Sequence, residues 1–100
     1  MSKYCFSLIC SPDVEEKLLD ALLTTFDDEV FTSTPISSHG TAHGRLSAGE
    51  QVMGRSRSVF VQIVVTAEES TALNALLRRD FAGTGIRFWM TALAAEGEIA

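Results

Sequence analysis

The first apolar pattern in the chain is a strict alternation over "KYCFSLIC". Tyr4, Phe6, Leu8 and Cys10 fall on one side of this segment, and Cys5, Ser7 and Ile9 fall on the other. Alternation with a period of two predicts a β-strand, and apolar groups on both sides predict that neither face is fully exposed to water.

The pattern then changes to helical spacing. Ser11 offers a hydroxyl to cap the free amides, Pro12 suits a first helical position, and acidic residues follow in the first turn. The apolar stripe that predicts this helix consists of Val14, Leu18, Ala21, Leu22 and Phe26. This predicted helix ends at the acidic run 27–29.

The second half repeats the order strand, helix, strand. "VFTSTPI" predicts a weak strand that ends near Pro35, and "SRSVFVQIVV" predicts the strongest strand of the chain. "TAEE" forms a capping box in which Glu69 reaches back to Thr66, and "AGTG" ends the helix with glycines. The buried stripe of this helix consists of Leu73, Leu76, Leu77 and Phe81. "IRFWMTAL" predicts the fourth strand.

The element order βαββαβ predicts an α+β, ferredoxin-like fold in one domain, 1–100, with a four-stranded antiparallel sheet and both helices on one face. The open face should carry Cys5, Ser7, Ile9, Phe60, Gln62, Val64, Trp89, Thr91 and Leu93, or their neighbours if the register is inverted. Either register leaves large apolar groups uncovered, so we expect the sheet to pack against other copies, with Phe60 and either Trp89 or Phe88 near the contact.

A long loop over about 37–53 interrupts this plan. It has few large apolar residues, and four glycines and both histidines of the chain lie between 39 and 55. A loop of this length in a small domain is typically functional or flexible. We expect residues from about Ser37 to Gly49 to be mobile without a ligand.

Composition and charge narrow the classes of function. The chain has a net charge of −5, yet residues 31–58 carry +2, which leaves −7 for the rest. An acidic body argues against a nucleic-acid partner. No apolar run is long enough to span a membrane and no secretory signal is recognisable, so we expect a cytoplasmic protein. Cys5 and Cys10 would point to opposite strand faces, which favours free buried thiols.

The block "GEQVMGRSRSVFVQIVVTAEESTALNALL", followed by a glycine turn and "IRFWMTALAAEGEI", resembles the second half of PII-like signalling proteins. The resemblance is strongest to a proteobacterial PII-like family often encoded beside cation-efflux systems. It implies a homotrimer with sheets facing inward, a T-loop that orders when a ligand binds, and a membrane efflux protein as a partner.

The resemblance also implies a ligand site between subunits. Arg55 and Arg57 at the base of the loop would meet Gly83, Gly85 and Arg87 of a neighbour and hold a small anion. The turn "AGTGIRFW" lacks the TGxxGDGK pattern that binds nucleotide phosphates in classical PII proteins. The effector therefore stays open between an adenine nucleotide, a divalent metal and another small molecule.

Two alternatives remain at this level. His39 and His43, four residues apart, would suit a weak metal site in an accessory protein of an efflux system. A small dimeric α+β barrel enzyme would use one of these histidines as a general base. No nucleophile and base occur in a supporting order, no phosphate-binding loop is present, and the only asparagine, Asn74, lies on a predicted helix, so we expect no catalysis.

Overall fold

The computed structural model describes residues 2–40 and 55–100. The elements, in chain order, are β1 (Lys3–Cys10), α1 (Pro12–Thr25), β2 (Phe31–His39), β3 (Arg55–Thr66), α2 (Ala67–Asp80) and β4 (Arg87–Leu93). The predicted order βαββαβ is confirmed.

The four strands form one sheet in the order β2-β3-β1-β4, and every neighbouring pair is antiparallel. Ser7 of β1 lies opposite Gln62 of β3 on one side and opposite Trp89 of β4 on the other. This arrangement confirms the ferredoxin-like fold. The strands β2 and β4 lie at the two edges of the sheet.

Both helices cover the same face of the sheet, because one set of alternating side chains packs into a core with the helical stripes. This core consists of Phe6, Leu8, Cys10, Leu18, Leu22, Phe26, Val59, Val61, Ile63, Val65, Leu73, Leu76, Leu77 and Phe81. Of the two registers that the sequence left open, the structure has the one with Cys5, Ser7 and Ile9 on the open face. None of the helices in the described part of the chain is long and apolar enough to cross a membrane.

The two helix starts differ from each other. At α2 the predicted capping box is confirmed: the Glu69 amide donates to Thr66 Oγ1 at 3.1 Å, and the Thr66 amide donates to Glu69 Oε1 at 2.8 Å. At α1 the predicted cap is wrong, because the Ser11 hydroxyl makes no capping hydrogen bond. It interacts instead with the Asp13 carboxyl, and this contact lowers the pKa of Asp13.

The prediction that β2 ends near Pro35 is wrong. The strand continues to His39, with Pro35 opposite Val59 and His39 opposite Arg55. Proline is tolerated here because β2 is an edge strand, whose outward amides have no ladder partner to lose. A hydrogen bond of 2.7 Å from the Ser38 hydroxyl to the Ser58 hydroxyl also ties the extension to β3.

The extended β2 changes the boundary of the predicted loop. Residues 37–39, which the sequence analysis assigned to the loop, belong to the strand, and Gly40 follows with a φ of 80°. The rest of the predicted loop, 41–53, lies outside the described residues, so its predicted mobility stays a prediction.

Candidate functional site

The open face of the sheet carries an aromatic pair that spans three strands. The rings of Phe60 on β3 and Trp89 on β4 are stacked, with centroids 5.8 Å apart and an interplanar angle of 26°. The central strand β1 runs between these two strands, and its Ser7 is only 2% exposed. Since neither of the two described helices covers this face, the aromatic pair itself shields Ser7, while Trp89 remains 45% exposed.

A small polar network lies beside the aromatic pair. The Gln62 side-chain amide donates to Ser7 Oγ at 3.4 Å and to Cys5 Sγ at 3.5 Å, and Cys5 Sγ lies 3.7 Å from Ser7 Oγ. The buried hydroxyl of Ser7 is therefore satisfied, as buried polar groups normally are. Sequence analysis placed all three residues on this face but did not identify the network, because hydrogen bonding across strands depends on the register.

Phe88 does not share a face with Phe60 and Trp89. Its ring stacks on the core residue Phe6, with centroids 5.3 Å apart and an interplanar angle of 11°, so it lies on the helical side of β4. The sequence analysis treated Phe88 and Trp89 as alternatives for one contact surface. The structure places them on opposite faces, and only Trp89 belongs to the open face.

The predicted anion-binding arginines lie at the same end of the sheet but not together. Arg87 begins β4 opposite Ile9, which in turn lies opposite Phe60 of β3. Strand alternation places Arg57 on the same face as Val59, the helical side, whereas Arg87 shares the open face with Ile9. The backbone of Arg55 lies opposite that of His39. Within one subunit Arg57 and Arg87 therefore form no common site.

The turn after α2 has the backbone geometry that the sequence predicted. Gly83 and Gly85 have φ values of 80° and 78°, in the left-handed region that favours glycine. The Thr84 amide and hydroxyl both donate to the Phe81 carbonyl, at 3.2 and 2.6 Å, which satisfies the end of the helix. The turn thus terminates the helix, and its two glycines are exposed to solvent.

A shallow groove of about 320 Å³ runs along this turn between α2 and β4. It is lined by Leu77, Arg78, Phe81, Ala82, Gly83, Gly85, Ile86 and Phe88. Arg78 was not among the predicted site residues. The sequence feature that could have identified Arg78 is its position in the last turn of α2, just before the glycines.

The histidine prediction receives no support from the described residues. His39 belongs to the strand β2 rather than to a loop, and its cross-strand neighbour is the cationic residue Arg55. His43 lies outside the described residues. Within 2–40 and 55–100, no three His, Cys, Asp or Glu side chains come close enough to hold a metal ion.

The two cysteines lie on opposite faces of β1 as free thiols. Cys10 is buried in the core, where desolvation, with smaller contributions from Glu15 and Asp13, raises its pKa to about 11. Cys5 is partly exposed on the open face, next to Ser7. The prediction of buried free thiols therefore holds for Cys10 but not fully for Cys5.

Comparison with known proteins gives a family without a stated activity. No curated protein matches the chain. One similar solved structure is a crystal structure of a DUF3240 family protein from Shewanella baltica OS155, with a TM-score of 0.80 and 16% sequence identity over 100% of this chain and 99% of that one. The model of the family "Protein of unknown function (DUF3240)" matches residues 1–100. The chain therefore belongs to the DUF3240 family.

Proposed function

We propose that the protein is a PII-like regulatory protein that acts as a homotrimer, binds a small anionic effector between subunits and catalyses no reaction. The observation that carries this proposal is the open face of the sheet. Within residues 2–40 and 55–100, both helices pack on one side of the sheet, and the other side presents the stacked pair Phe60 and Trp89 to solvent. A stable monomer rarely leaves such a surface uncovered, so packing against other copies is the simplest explanation.

The ribbon formed by β2 and β3 supports the same assignment. Residues 59–66 of β3 pair with β1, whereas 55–58 pair only with residues 36–39 of β2. The two strands therefore continue past β1 as a two-stranded extension that ends at the segment predicted to act as a T-loop. In the proposed mechanism, effector binding at the base of this extension changes the conformation of the connecting segment, most of which lies outside the described residues.

The separation of the arginines within one subunit favours a site between subunits. Arg57 and Arg87 lie on different faces, with β1 between their strands. Trimer formation would bring the base of one ribbon against the turn of a neighbour. Guanidinium groups and the exposed backbone of Gly83 and Gly85 suit an oxyanion, because arginine binds such groups in a bidentate manner.

The test has two parts. Light scattering should give a mass of about three times the subunit mass of 10.8 kDa. Calorimetric titration with ATP, ADP, phosphate and bicarbonate should then identify an anion that binds. Arg55→Ala and Arg87→Ala should each weaken its binding, while Lys3→Ala, at the opposite end of β1, should leave it unchanged.

A monomer of 10.8 kDa across the micromolar range would contradict the trimer. A trimer that binds none of the anions, or binds one equally well in both arginine variants, would contradict the proposed site but leave the assembly intact.

A further inference from the structure

The segment 94–100, which follows β4, makes no contact that explains its position. All seven of its residues are exposed, and Ile99 is 99% exposed. Within the described part of the chain, this segment forms no hydrogen bond and neither Glu96 nor Glu98 forms an ion pair. An exposed apolar side chain next to the unpaired carboxylate of Glu98 is suited to bind another surface.

The edge strand β4 offers such a surface. It pairs only with β1 among the described strands, so its outer amides and carbonyls have no partner in the sheet. On its helical side, the groove of about 320 Å³ continues into a second of about 390 Å³ beside Met90, because Phe88 lines both. On the open side, Arg87 forms no ion pair with a described residue.

We propose that residues 96–100 of one copy add as an extra strand to the β4 edge of a second copy. Side chains alternate along an added strand, so Ile99 and Glu98 must point to opposite faces. When Ile99 enters the groove beside Ile86 or Phe88, Glu98 falls on the open side beside Arg87. In one register, the added strand provides hydrogen-bond partners for the free edge, buries Ile99 and places Glu98 beside Arg87.

The occupant is a second copy, because the segment is too short to reach this position in its own chain. Five residues lie between Leu93 and Ile99, and a turn must use at least two of them. A hairpin with the shortest turn, 94–95, would place Glu98 opposite Thr91. Arg87 lies four residues further along β4, about 13 Å away.

The proposal does not depend on the number of subunits or on an anionic effector. Arg87 also belongs to the proposed anion site, so the experiment uses a chloride buffer without phosphate, sulfate or nucleotide. Sedimentation velocity over a dilution series measures self-association of the full chain. The variants are Arg87→Glu, Glu98→Arg, their combination and Ile99→Asp, with Leu23→Asp on α1 as the control at another exposed apolar position.

Each single charge reversal and Ile99→Asp should weaken self-association by at least about tenfold, and the combined reversal should restore it to within about threefold of the parent. Leu23→Asp should have no effect. Failure of the combined reversal to restore association would overturn the proposal, as would unchanged association in Ile99→Asp or a parent protein that stays monomeric. Unchanged anion binding in Arg87→Glu together with intact charge rescue would refute only the proposed anion site.

Discussion

Replacing Trp89 by alanine should dissociate the proposed trimer without unfolding the subunit. Trp89 is stacked on Phe60 on the open face, outside the core that the helices form with the sheet. Within a subunit the substitution exposes Ser7 and removes the aromatic stack, worth about 1 kcal/mol. It also loses the roughly 140 Å² that Trp89 already buries, worth about 3 kcal/mol at about 25 cal/mol per Å². The core side chains of all four strands keep their contacts.

The loss of contact between copies adds to the loss within each subunit. An indole side chain of roughly 250 Å² that is 45% exposed has about 110 Å² left to bury in a contact between copies. At about 25 cal/mol per Å², this burial contributes about 3 kcal/mol per subunit. Three such contributions per trimer should shift dissociation from below micromolar to well above it.

The assay is light scattering over a dilution series, with circular dichroism to verify that the variant is folded. Leu23→Ala is the matched control, because Leu23 is 59% exposed but lies on α1 in the helical layer. We expect the control to keep the parental mass. A Trp89→Ala variant with an unchanged trimer mass down to nanomolar concentration would refute the role of the open face in assembly.

Two further predictions concern the stability of the subunit. Thr66→Ala removes the cap of α2 and should lower the free energy of unfolding by about 1 kcal/mol in urea denaturation, and an unchanged midpoint would contradict the capping role. Because burial holds the Cys10 pKa at about 11 against 9.0 for an ordinary thiol, the unfolded chain loses this proton first as the pH rises. The free energy of unfolding should therefore fall between pH 9 and 11 by up to about 1.4 kcal/mol per pH unit. The same titration of Cys10→Ala should lack this component, and equal slopes in both proteins would refute it.

The sequence predicted the fold well because its strongest signals are local. Alternation in β1 and β3 and the capping box of Thr66 and Glu69 each depend on neighbouring residues, so they survive in the folded chain. The predicted end of β2 was wrong because Pro35 locally favours a turn, whereas pairing with β3 continues the strand past it. The local sequence does not show this pairing. Contacts across β1, such as the stack of Phe60 on Trp89 and the hydrogen bond from Gln62 to Ser7, require the strand order and were not predictable.

The two edges of the sheet differ in a way that indicates where association occurs. The β2 edge presents the polar sequence "FTSTPISSH", and Pro35 removes one amide from its ladder. These are the features by which proteins prevent edge-to-edge pairing. The β4 edge has neither device: its central residues Phe88, Trp89 and Met90 are 38%, 45% and 45% exposed. A chain that protects one edge and leaves the other apolar on both faces is suited to bind at the second. The open face next to β4 and the β4 edge itself therefore form one continuous surface, at which we expect the proposed association between copies.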